Sequence, residues 1–149
     1  MRILVCADGE LHSKNAIKKA IFLGLFVSAE VTALHVIDPW LKTFYNEIYA
    51  QGRKQYLEYV DKCLQENAEQ TRRAFNQECV AERLNATFKV RHGEPLVEIL
   101  EEMNEFPPDV LITGGKCLNV WSRFKSRNLP LQLKKRINKE VSMIVVDNI

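Results

Sequence analysis

The first 38 residues constrain the fold more than any other stretch. Residues 2–7 read RILVCA, a short apolar run with the composition of a buried strand. Asp8-Gly9 follows as a turn pair. Ser13 is placed to cap a helix over residues 14–27, in which Ala16, Ile17, Ala20, Ile21 and Gly24 recur at helical spacing on one face. Small residues on that face allow close approach to a sheet. Residues 30–37 (EVTALHVI) form a second strand that stops at Asp38-Pro39, because proline restricts its predecessor and cannot donate to a ladder. A strand, a helix and a strand in this order predict a parallel pair joined by a right-handed crossover.

The remaining chain repeats the pattern. A long helix is expected over residues 53–83, with Tyr56, Val60, Cys63, Leu64, Asn67, Ala68, Thr71, Phe75 and Cys79 along one stripe. Residues 86–90 read as a third strand. Gly93-Glu94-Pro95 turns into a helix that Phe106-Pro107-Pro108 breaks. Residues 109–113 form a fourth strand, 131–138 a short helix with Leu133 and Ile137 inward, and Ser142 to Val146 a fifth strand. The expected architecture is α/β: a five-stranded parallel sheet, doubly wound, with helices on both faces. At 149 residues the chain suits one domain over residues 1–149.

Composition excludes several classes. A net charge of +2 is too small to argue for nucleic acid. The longest uncharged run, residues 20–29, falls short of the roughly 20 apolar residues that span a bilayer, so no membrane partner is expected. Met1-Arg2 leads directly into the first strand without a signal-peptide pattern, so a cytoplasmic location is expected. Cys6, Cys63, Cys79 and Cys117 show no CxxC spacing, and His12, His35 and His92 are dispersed, so neither zinc nor a disulfide framework is expected. Cys117 lies beside a glycine pair among basic residues, a setting that could activate a thiol.

The stretch that carries chemistry runs from Asp109 to Asn128, DVLITGGKCLNVWSRFKSRN. An apolar strand ends at Thr113-Gly114-Gly115, which puts bare backbone N–H groups at the edge of a sheet, where open α/β folds bind anionic ligands. Eight basic residues and no acidic one occur between Lys116 and Lys139.

At this point the chain resembles the universal stress protein family. Four pieces carry the resemblance: ILVCADGELHSKNAIKKA, AEVTALHVID, VRHGEPLVEILEEMNEFPPDVLITGG and SMIVVD. The resemblance implies a fold like that of adenine-nucleotide α-hydrolases, with strand order about 3-2-1-4-5. It also implies a homodimer formed through the last strand, Ser142 to Val146. One branch of the family binds ATP, with Mg²⁺, at the carboxyl edge of the sheet. By that resemblance the cofactor-binding set here is Ala7, Asp8, Val36, Thr113, Gly114 and Gly115, with Lys116, Ser126 and Arg127 on the phosphates.

One departure bears on ATP. The binding branch carries Gly, two residues, Gly, nine residues, then Gly-Ser or Gly-Thr. Counting from Gly114, those places hold Cys117 and Arg127-Asn128; from Gly115, they hold Leu118 and Asn128-Leu129. A Cβ at such places obstructs the approach of backbone to phosphate. Pro130 removes a further amide. Lys116, Arg123, Lys125 and Arg127 supply cations in exchange.

Two readings follow. The first is a stress-response regulatory module that acts through dimerisation and an unknown protein partner, with weak or no ATP binding. The second is an ATP-binding module or weak ATPase of the same fold. No Ser/His/Asp or Cys/His order suggests a catalytic nucleophile. Glu98, Glu101, Glu102 and Glu105 are expected to form a solvated helix face, and His35 a satisfied interior residue. The aromatic segment Trp40, Phe44, Tyr45, Ile48, Tyr49 and Tyr56 either covers the sheet or meets a partner. The basic loop is expected to be a solvated face rather than a nucleic-acid contact, with Trp121 and Phe124 packed onto the sheet edge or a partner subunit.

Overall fold

The computed structural model describes residues 1–9, 11–38, 53–115 and 128–147. Five strands and four helices alternate along them: β1 (Arg2–Cys6), α1 (Leu11–Phe26), β2 (Glu30–Ile37), α2 (Arg53–Glu82), β3 (Ala86–His92), α3 (Pro95–Glu105), β4 (Val110–Gly115), α4 (Leu129–Arg136) and β5 (Ser142–Asp147). The strands form one sheet in the order β3-β2-β1-β4-β5. Every pairing is parallel, with Ile3 opposite Val31 on one side and Val110 on the other.

Both faces are covered, which is why the central strands are apolar without alternation. Ile3, Val5, Val31, Ala33 and Ile112 pack under α1 and α2. Ala16, Ile17, Ala20 and Ile21 of α1, with Phe75 of α2, close that layer. On the opposite face Leu4, Leu34 and Leu111 meet Leu96, Ile99 and Met103 of α3 and Leu133 of α4. The aromatic segment from Trp40 to Tyr49 lies outside the described residues.

Several boundaries differ from the sequence expectation, each for a local reason. Helix α1 starts at Leu11, so Ser13 is inside its first turn rather than its cap. Gly9, at φ +84°, turns the chain into the helix early. Ser13 is buried, and its hydroxyl accepts the Asp8 backbone N–H at 3.2 Å. Gly114 and Gly115 are the last residues of β4 and belong to its ladder, opposite Val146 and Asp147 of β5. Helix α4 begins at Leu129, where Asn128 Oδ1 accepts the Leu131 N–H at 3.3 Å and Pro130 occupies a first-turn position that needs no amide.

The glutamates of α3 correct a further expectation. Glu101 and Glu105 are exposed as expected, but Glu98 and Glu102 are not. Strand β3 turns Phe88 toward Phe75 and directs Lys89 and Arg91 to the other side, onto α3. Glu102 is 3% exposed and accepts from Lys89 Nζ at 2.5 Å and Arg91 Nη1 at 2.8 Å. Glu98 and Glu105 take the other guanidinium nitrogens, at 3.0 and 3.2 Å. These carboxylates hold the Arg91 pKa above its ordinary value, with the Glu105 hydrogen bond the largest cause. The network pins the edge strand β3 to α3.

Phe75 is 1% exposed and touches Phe88 across the α2–sheet seam, so Phe75→Ala opens a cavity there. A loss of about 3–5 kcal/mol is expected from urea unfolding of the variant against the native chain. A loss under about 1 kcal/mol would contradict this packing.

Candidate functional site

Sheet order reverses direction at β1: the chain moves outward to β2 and β3, then crosses to β4 and β5. A crevice opens beyond the carboxyl ends of strands at such a switch point. Here it is a cavity of about 420 Å³. Cys6, Ala7 and Asp8 line it from the end of β1, Leu34 and Val36 from β2, and Thr113, Gly114 and Gly115 from β4. His12 and Ser13 of α1, Pro95 and Ile99 of α3, Asn128 with Leu129 and Pro130 of α4, and Val145 and Asp147 of β5 complete the described wall.

Six of the residues singled out from sequence therefore meet in one place: Ala7, Asp8, Val36, Thr113, Gly114 and Gly115. Lys116, Ser126 and Arg127 lie outside the described residues, as does Cys117.

The cavity has two kinds of wall. Leu34, Val36, Pro95, Ile99 and Leu129 make an apolar slot. The polar rim centres on Asp8. Its backbone N–H is held by Ser13, and its carbonyl accepts Asn67 Nδ2 from α2 at 3.1 Å. Its carboxylate lies 2.9 Å from His12 Nε2. The backbone is thereby fixed from two helices while the side chain stays half exposed.

Thr113 differs from its neighbours. It is 3% exposed, and its Oγ1 has no hydrogen-bond partner among the described residues. A buried hydroxyl left unpaired costs about 1–3 kcal/mol. A ligand hydroxyl or amide in the cavity would satisfy it.

Gly114 has a cause that sequence alone did not reveal. A Cβ there would lie 2.7 Å from the His12 carbonyl oxygen and 2.8 Å from its carbon. The first turn of α1 crosses β4 so closely that only glycine fits. His12 and Asp147 are the site residues that sequence reasoning missed. A histidine four positions beyond Asp8, at one turn of a helix, was the available signal for the first.

The thiol of Cys6 is pushed up to about 12, first by burial and then by the charge of Asp8. It acts as a small apolar wall rather than a nucleophile. His35 lies under the same rim. It is buried, stacks near Phe88 at 6.4 Å and hydrogen-bonds the Ala7 backbone. Its Nδ1 has no partner among the described residues, so the ring is only half satisfied.

A model of the universal stress protein family matches residues 1–125. The chain belongs to the universal stress protein family. No curated protein matches it by sequence. Three solved structures of family members share its fold. The universal stress protein UspA from Lactobacillus plantarum is 18% identical, with a TM-score of 0.71 over 98% of this chain and 97% of that one. A universal stress protein in complex with cAMP is 15% identical, with a TM-score of 0.70 over 99% and 96%. A universal stress protein family protein from Arabidopsis thaliana with AMP bound is 15% identical, with a TM-score of 0.63 over 100% and 92%. The observed strand order is the one that the family resemblance implied.

Burial lowers the pKa of His35 from its ordinary 6.5, against the opposing Ala7 hydrogen bond and Asp8 charge. The unfolded chain therefore takes up this proton at higher pH than the folded universal stress protein does. The stability it contributes is complete above pH 6.5 and falls as pH drops below that value toward the folded pKa. Urea midpoints measured at pH 7.5 and 5.5 should fall less in His35→Gln than in the native chain. Equal slopes would contradict a neutral buried ring.

Proposed function

We propose that this universal stress protein is a regulatory module that binds an adenine nucleotide at the carboxyl edge of its sheet and acts by binding rather than turnover. The observation that carries the reading is Thr113: a buried hydroxyl without a partner among the described residues, lining a cavity between an apolar slot and the polar rim at Asp8. Two family members of the same fold were solved with AMP and with cAMP.

In this reading the adenine enters the slot between Leu34, Val36 and Pro95 and meets the backbone of Ala7 and Val36. The Asp8 carboxylate accepts from the adenosine, and the Thr113 hydroxyl donates to it or accepts from it. Gly114 and Gly115 face the ribose and first phosphate. Lys116, Ser126 and Arg127 hold the phosphates through charge-assisted hydrogen bonds, in place of the glycine frame that the sequence lacks. Where the nucleotide is ATP, Mg²⁺ would accompany it. The same reading makes the protein a cytoplasmic, single-domain homodimer joined through β5, an edge strand with no neighbour on its outer side in this sheet. Nucleotide occupancy would then bias a contact with a further protein. Stress response is the setting that family membership supports.

Calorimetric titration tests the nucleotide directly. AMP is expected to bind saturably, and Asp8→Ala to weaken it about tenfold or more. Thr113→Val should weaken it about tenfold by removing one hydrogen bond, while leaving the stability of the free protein unchanged or higher. Absence of heat with AMP, cAMP and ATP at millimolar concentration would overturn the reading. The dimer has its own check: sedimentation equilibrium is expected to give twice 17.2 kDa, and a single-chain mass would exclude pairing through β5.

A further inference from the structure

Helix α1 presents an unusual outer face. Its inner residues are buried in the sheet layer, yet Phe22 is 62% exposed and Phe26 is 80% exposed. Leu25 and Val27 are also exposed. Large apolar groups clustered in this way mark a contact surface. The two phenyl rings stack on each other, 6.5 Å apart and 13° from parallel, and Lys19 Nζ lies 5.8 Å from the Phe22 ring centre. The rings are thus held side by side at the surface.

The charges on this face have one sign. Lys14, Lys18 and Lys19 are exposed, and no acidic residue occurs anywhere from Leu11 to Phe26. Lys14, Lys18, Phe22 and Phe26 are spaced by four, so they form a single ridge along the helix. At 1.5 Å per residue the ridge is about 18 Å long. The neighbouring helix on the same face of the sheet is an internal contrast. Exposed charges of α2 are mixed and pair with one another, as Lys62 does with Glu66 at 3.9 Å and Arg73 with Glu69 at 3.4 Å. Nothing of that kind is available within α1.

We infer that the Lys14–Phe26 ridge of α1 rests on an anionic lipid surface. Two observations select this occupant. The lysines are complementary to a negative surface and repel a second copy of themselves, which argues against a homotypic contact. The face is a convex ridge rather than a groove, and a deformable headgroup layer accommodates a ridge without a matching cleft. No described helix is long and apolar enough to cross a membrane, and lying on one demands far less. The ridge is on the opposite side of the sheet from the slot described above, so the inference stands apart from the nucleotide reading.

Flotation of the full chain with vesicles tests it. The protein should float with phosphatidylcholine vesicles containing phosphatidylserine, remain behind with phosphatidylcholine alone, and be released by high salt. Phe22→Ser combined with Phe26→Ser should weaken partition at least about tenfold, and Lys14→Gln with Lys18→Gln should remove its salt dependence. All four positions are exposed, so circular dichroism should show each variant folded. Failure to float with anionic vesicles would overturn the inference. So would equal partition into neutral vesicles, or flotation indifferent to both variants. Retention on immobilised poly-glutamate without flotation would assign the ridge to an acidic polypeptide instead.

Discussion

The double parallel pairing of β1 is the constraint on which the rest depends. One short strand hydrogen-bonds β2 on one side and β4 on the other, with all three running the same way and both neighbours extending past its carboxyl end. Because the crossovers leave β1 in opposite directions, a crevice opens above the junction. The cavity is therefore a consequence of topology before it is a property of any side chain. Its lining then follows from the pleat. Cys6, Leu34 and Thr113 project to the α3 side, where Pro95 and Ile99 close the far wall.

Much of the fold was legible in the sequence because it rests on local periodicity. Continuous apolar runs give strands covered on both faces, and the Ala16, Ile17, Ala20, Ile21 face gives a helix on a sheet. What could not be read depended on partners distant in the chain. Glu102 resembles any surface glutamate of an amphipathic helix until Lys89 and Arg91 arrive from β3. Ser13 looks like a cap until Gly9 turns the chain early and Asp8 takes its hydroxyl. The glycine pair looks like a strand terminator, yet β5 extends far enough to pair both residues.

Gly114 shows how a motif residue can have more than one cause. Sequence reasoning assigned it to the approach of a phosphate. Geometry adds that the backbone of His12 already requires the absence of a side chain there. Keeping this glycine is therefore compatible with losing the later ones, since packing alone would preserve it. The six candidate residues that meet in the cavity were legible through the family pattern. Asp147 was not, because its place above Gly115 depends on how far the last strand runs.

The central claim is that the carboxyl edge around β1 is a nucleotide site. Backbone amide NMR of the uniformly labelled chain, titrated with AMP, tests it at residue level. The largest saturable shifts are expected at Ala7, Asp8, Val36, Gly114 and Gly115, with residues at the opposite strand ends, such as Arg2 and Glu30, unmoved. Saturable shifts confined to another surface, or no shifts at millimolar AMP, would contradict it.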